Sequence, residues 1–160
     1  MKHMLLKAVA LGVTAIAMAA ASAQDIKERA FKFHLAGPEG NHPASPGMKK
    51  FAELVSQRSG GKMKVNLFFN SALGTDQAVV SSLKGGTVEL AVMNTGILAS
   101  EAKELAIFDF PFLFANEKES DAVVDGAIGK KMHALLEPKG IVGLAYWELG
   151  YRQITNSKRA

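Results

Sequence analysis

The chain has 160 residues, no cysteine and a formal charge of +4. Lys2 and Lys7 lie in a leader-like N-terminus, and without them the basic count falls from 19 to 17 against 15 acidic residues. That balance excludes the basic footprint of a nucleic-acid binder, and the missing cysteines exclude disulfide staples, a thiolate metal site and a lipid attachment point.

The first residues read as a secretory leader. Lys2 and Lys7 form a basic start, Ala8 to Ala20 is an uncharged and mostly apolar run, and Ala21-Ser22-Ala23 has the small-x-small cleavage pattern. Cleavage after Ala23 leaves Gln24 as the mature start, a periplasmic destination and a chain that does not itself span the membrane. The alternative is a transmembrane anchor, but the run is alanine-rich and short of the ~20 strongly apolar residues that a span needs. The remaining residues suffice for one α/β domain of ordinary size.

In chain order, Phe31 to Leu35 alternates apolar and polar residues and predicts a strand. The loop A-G-P-E-G-N-H-P-A-S-P-G follows. Ser45-Pro46 predicts a helix start, with a hydroxyl cap and then proline at the first helical position. Met48, Phe51, Ala52 and Val55 give that helix one apolar face, and Gly60-Gly61 ends it. Met63 to Phe69 predicts a second strand. Thr75 predicts the cap of a second helix, with Asp76 in its first turn and Val79, Val80 and Leu83 facing inward. Gly85-Gly86 ends this helix, and Val88 to Met93 predicts a strand covered on both faces.

The order is therefore β-α-β-α-β from Phe31 to Met93, which builds a parallel sheet with right-handed crossovers. Open sheets of this kind bind ligands beyond the carboxyl ends of their strands. Those ends are residues 36–42, 70–75 and 94–96, which makes His42 a candidate contact. Leu105 to Phe114 is dense in aromatics around Pro111 and predicts core packing under a loop, with a ligand-facing phenylalanine as the minority alternative. Asn116 with Glu119 resembles a capping box. Helix then extends to about Leu136 with a break at Gly126.

The stretch from Ile141 to Arg159 leads through the sole tryptophan, Trp147, to Gly150 and Arg152, and it predicts a strand. A strand-borne guanidinium suits a carboxylate because its planar fork donates two parallel charge-assisted hydrogen bonds. The alternative is an arginine paired with a core or edge carboxylate. No G-x-S-x-G, H-E-x-x-H, Walker loop or G-x-G-x-x-G occurs. His3, His34, His42 and His133 lack metal-ligand spacing, with His34 expected on a strand face and His133 on a helix exterior. No serine or threonine has a nearby His/Asp pattern, so neither an enzyme nor a cofactor or metal site is predicted.

Several segments together resemble the solute-binding proteins of tripartite ATP-independent periplasmic (TRAP) transporters, the DctP-like family. They are M-K-K-F-A-E-L-V (48–55), S-G-G-K-M-K-V-N-L-F (59–68), S-A-L-G-T-D (71–76), L-K-G-G-T-V-E-L-A-V (83–92), F-D-F-P-F-L-F (108–114) and G-Y-R-Q-I-T-N-S-K-R (150–159). The resemblance implies a two-lobed α/β receptor that closes on a small organic acid, C4-dicarboxylate-like, and delivers it to membrane permease subunits. It implies that Arg152 grips the ligand carboxylate, that Asn94 at the end of the third strand lines the cleft, and that Thr75 and Asp76 match another cleft position. Trp147 and His42 are added from their expected placement.

Family members continue beyond this length with a second arginine in a G-x-K-x-R segment. The expectation is therefore a periplasmic-binding-protein-like lobe with the second lobe largely missing. Residues 1–23 would be the leader, 24–140 the first lobe and 141–160 the crossover strands. A small secreted enzyme acting on an organic acid and a non-functional truncated fragment are the alternatives.

Overall fold

The structure, a computed structural model, describes residues 26–150 and 157–158. The leader and its cleavage site, Arg152 and its neighbours Tyr151 and Gln153 lie outside the described residues. Three parallel strands form one sheet in the order β2-β1-β3. They are β1 (Arg29–Leu35), β2 (Met63–Phe68) and β3 (Leu90–Val92). The connecting helices are α1 (Ala44–Arg58) and α2 (Asp76–Lys84). The short α3 (Thr95–Leu98) leads to a 3-10 segment, Lys103–Asp109, and then to α4 (Glu117–Val124), α5 (Ala127–Ala134) and a last 3-10 turn, Glu137–Lys139.

The register puts Arg29 beside Met63 and His34 beside Phe68 on one side of β1, and His34 beside Ala91 on the other. Toward its carboxyl end β1 is covered on both faces, with Phe33, His34 and Leu35 all buried while Arg29, Ala30 and Lys32 are exposed, and the alternation of side chains sorts the buried ones between two packing layers. Phe33 and Leu35 point into a cluster with Ala44 and Met48 of α1, joined by Phe51, Val65, Leu67 and Leu90. A second cluster gathers Val80 of α2 with Ala102, Leu105, Leu136 and Ile141. This is the two-layered covering that a parallel sheet requires.

Local starts and stops follow side-chain chemistry. The Thr75 hydroxyl accepts from the Ala78 amide at 3.3 Å, capping α2 as its sequence predicts. Asn116 accepts from the Glu119 amide at 3.0 Å, while the Glu119 carboxylate reaches back to the Ala115 amide, also at 3.0 Å. The return bond thus lands one residue earlier than in a capping box. α4 and α5 are separate helices, because Gly126 leaves room for the Ala122 carbonyl, which a Cβ there would meet at 2.6 Å.

Four expectations are corrected. α1 begins at Ala44 with Pro43 at the cap position, so Ser45 is not the cap. Its hydroxyl donates instead to the Pro38 carbonyl at 3.2 Å. β3 is three residues long and half-buried, since its one neighbour among the described strands is β1. Residues 141–150 form no strand, because nothing among the described residues offers them a ladder. In the aromatic run Leu105 is buried, but Phe110 and Phe112 are 66% and 97% exposed. Phe112 has a φ of 59°, a left-handed turn that throws its ring outward.

Candidate functional site at the carboxyl edge of the sheet

In a sheet ordered β2-β1-β3 the chain leaves β1 toward one neighbour and returns past it to the other, so the crevice opens at the carboxyl ends of β1 and β3. Asn94 closes β3 and sits at the cap position of α3 with no side-chain hydrogen bond to that helix. Its exposed carboxamide keeps both donor and acceptor free of capping duty. At the start of α3 Asp109 lays its carboxylate against Gly96, and any Cβ at that position would collide with it.

The β1 and β2 loops are tied together on this edge. The Asn70 amide donates to the Gly37 carbonyl at 2.9 Å, and the Ser71 hydroxyl to the Ala36 carbonyl at 3.5 Å. Asn70 and Ser71 stand consecutively at φ 54° and 55°. Left-handed backbone at a non-glycine residue costs on the order of 1–3 kcal/mol and is held only where surrounding bonds insist on it. This strained rim leads directly to Thr75 and Asp76, where Thr75 spends its hydroxyl on the helix start.

Asp76 is the first residue of α2, where the helix dipole favours a carboxylate. Its Oδ1 lies 3.2 Å from Nε2 of His34, which is fully buried, while the Asp76 side chain keeps 18% of its surface exposed. The partnership follows from the fold: on a central strand the residue opposite Phe33 and Leu35 faces the layer that α2 covers. The alternation F-K-F-H-L marked His34 as a polar-face residue, and only the strand order reveals that this face is closed.

The other candidates are placed as follows. His42 rests its ring on Gly37 and accepts the Ala44 amide on Nδ1 at 3.2 Å, so it helps start α1. Trp147 sets its ring edge-on to Phe33 at 6.3 Å and against Gly47 of α1. The structure thus places Asn94 at the carboxyl end of β3, Thr75 and Asp76 at the start of α2 after β2 on the other side of β1, and His42 in the loop after β1, and it gives Trp147 a packing role beside α1. Tyr146 stacks on His133 at 4.3 Å and donates to the Gly129 carbonyl at 3.2 Å, docking the same segment onto α5. Burial lowers the His133 pKa from 6.5 and raises that of Tyr146. Among the described residues no three histidines or carboxylates gather as a metal site, and no helix is long and apolar enough to cross a membrane.

A parallel sheet with helices on both faces is an α/β architecture whose ligands, where it binds them, lie beyond the carboxyl ends of the strands. Residues 36–160 match the family described as bacterial extracellular solute-binding protein, family 7 (DctP), and the chain belongs to it. It is 33% identical over 147 residues to the 2,3-diketo-L-gulonate-binding periplasmic protein YiaO of Escherichia coli (strain K12), covering 92% of this chain and 43% of that protein. The crystal structure of the sugar acid binding protein DctPAm from Advenella mimigardefordensis in complex with galactonate superposes with a TM-score of 0.80. The two are 45% identical over 84% of this chain and 43% of that one. A TRAP periplasmic solute-binding protein from Sulfurospirillum deleyianum with bound succinate gives a TM-score of 0.71 at 30% identity, over 76% of this chain and 39% of its own. The chain therefore spans less than half the length of these relatives.

Proposed function

We propose that this protein is the periplasmic solute-binding component of a TRAP transporter and that it binds an organic carboxylate at the carboxyl edge of the sheet. The observation that carries the reading is Asn94, an uncommitted polar side chain at the switch point of a lobe belonging to a solute-binding family. Residues 1–23 act as the leader, cleaved after Ala23, residues 24–140 as the first lobe, and residues 141–160 as the passage toward a second lobe. The relatives' ligands, a diketogulonate, galactonate and succinate, share a carboxylate, which Arg152 is suited to clamp.

In the proposed mechanism the two lobes close about a hinge. Closure removes water from the carboxylate and its guanidinium partner and strengthens their attraction. Asn94, Thr75 and Asp76 orient the rest of the ligand, and the closed receptor docks on membrane permease subunits. Nothing in this scheme makes or breaks a covalent bond, so the protein acts as a receptor and not as an enzyme. Native mass spectrometry of the full-length protein tests this. A stoichiometric organic acid recovered intact is the expected result, and chemical conversion of that acid by the purified protein would overturn it.

A further inference from the structure

We propose that the stack of His133 on Tyr146 is a proton-operated latch: residues 141–150 rest on α5 while the imidazole is neutral and lift from it when the imidazole takes up a proton. The latch stands on the described residues alone. Its consequence for transport rests on the reading of residues 141–160 as the passage toward a second lobe.

Residues 141–150 form no strand, so side chains hold them in place. Tyr146 is their anchor on α5. Its ring lies flat on that of His133, with centroids 4.3 Å apart and planes 6° from parallel. Phe108 of the 3-10 segment meets it edge-on at 5.7 Å. Its hydroxyl donates at 3.2 Å to the carbonyl of Gly129, one turn before His133 on α5. Gly143 completes the seat, because its backbone lies so close to the His133 ring that a Cβ there would collide with it. The imidazole is thus covered by Gly143 and Tyr146, both from the one segment.

Charging the ring works against this seat. An imidazolium needs water that the stack and Gly143 keep away, and among the described residues no carboxylate pairs with it. The carbonyl end of α5 and the π face of Tyr146 favour the charged form. Burial prevails over both and holds the His133 pKa below its ordinary 6.5. A proton therefore binds the lifted form more tightly than the docked one. Falling pH shifts the balance toward the lifted form, beginning near 6.5 and continuing through the lowered value.

The neighbouring charges are placed as follows. Lys130 and Lys131 on α5, and Glu137 and Lys139 on the next turn, are exposed. Asp109, from the segment of Phe108, lies against Gly96. Glu148, two residues beyond Tyr146, meets Asp121 and Glu117 of α4, and desolvation and then their repulsion raise its pKa above 4.5. It titrates in the opposite sense, since a proton on Glu148 eases that repulsion and tightens the far end of the segment.

The test is a pH titration of the wild-type chain beside His133→Phe, Tyr146→Ala and Glu148→Gln, with far-ultraviolet circular dichroism confirming that the fold persists. In the wild type His133 should titrate below 6.5, and the NMR ring-current shifts between His133 and Tyr146 should vanish over the same window. Emission of Trp147, the sole tryptophan and the next residue, should shift to the red in step. His133→Phe keeps a flat ring without a proton site, so the segment should stay docked throughout. Tyr146→Ala should return the His133 pKa toward 6.5, and Glu148→Gln should leave the His133 step in place. Galactonate affinity of the full-length protein should weaken over that window in the wild type and hold in His133→Phe. A stack that survives protonation, a His133 pKa at or above 6.5, or the same emission step in His133→Phe would overturn the latch. A latch that opens with galactonate affinity unchanged would overturn its link to the passage. Absence of galactonate binding at every pH would count against the receptor reading and leave the latch standing.

Discussion

Trp147 is 37% exposed, so roughly two-thirds of a large side chain is buried against α1 and Phe33 although it belongs to a segment with no regular structure. Replacing it by alanine re-exposes about 150 Å² of apolar surface, which at about 25 cal/mol per Å² is worth ~4 kcal/mol. Residual compactness of the unfolded chain removes roughly 10–40% of that figure. Trp147→Ala should therefore destabilise the lobe by about 2.5–3.5 kcal/mol, read as a shift in the urea midpoint followed by far-ultraviolet circular dichroism. A Cβ on Gly47 would lie 3.1 Å from the Trp147 ring, so Gly47→Val should evict the same ring. The single tryptophan makes that visible as a red shift in emission. In the Trp147→Ala background the Gly47→Val change should cost little, because its target has gone. A loss below about 0.5 kcal/mol in Trp147→Ala, a value usual for an unattached surface residue, would refute the packing of this segment onto α1.

Met48 is fully buried in the layer between α1 and the sheet, and Met48→Ala should lower unfolding free energy by about 2–5 kcal/mol in the same assay. Thr75→Ala removes the cap of α2 and should cost about 1 kcal/mol, restored in large part by Thr75→Ser. His133, whose pKa is lowered by burial, binds a proton less readily folded than unfolded. Its effect on stability is therefore nil well above its ordinary value of 6.5 and becomes a loss as pH falls through 6.5 toward the lowered folded value. The melting temperature of wild type relative to His133→Gln should decline over that window and run parallel above it.

The alternating order of strands and helices was legible from residue pattern alone, because Phe33 and Leu35, Met48 and Phe51, and Val79 and Val80 each carry the period of their element. Thr75 was equally legible, since capping is a local contract between a hydroxyl and amides three residues away. What pattern does not carry is adjacency. His34 looks like a polar residue on an ordinary strand until the order β2-β1-β3 closes its face and delivers Asp76 to it. The same gap explains residues 141–150, whose apolar run reads as a strand but meets no ladder among the described residues. It also explains Phe110 and Phe112, whose hydrophobicity says that they want cover without saying what supplies it. Arg152, the residue on which the proposed chemistry leans most, is identified by sequence and lies outside the described residues.

The measurement that bears most directly on the central claim is calorimetric titration of the full-length protein with galactonate and succinate, wild type beside Arg152→Ala. The account predicts saturable one-to-one binding that weakens in the variant by roughly 1.5–3 kcal/mol, the worth of a hydrogen bond to a charged group. Unchanged affinity in Arg152→Ala, or no heat with either acid in the wild type, would contradict it.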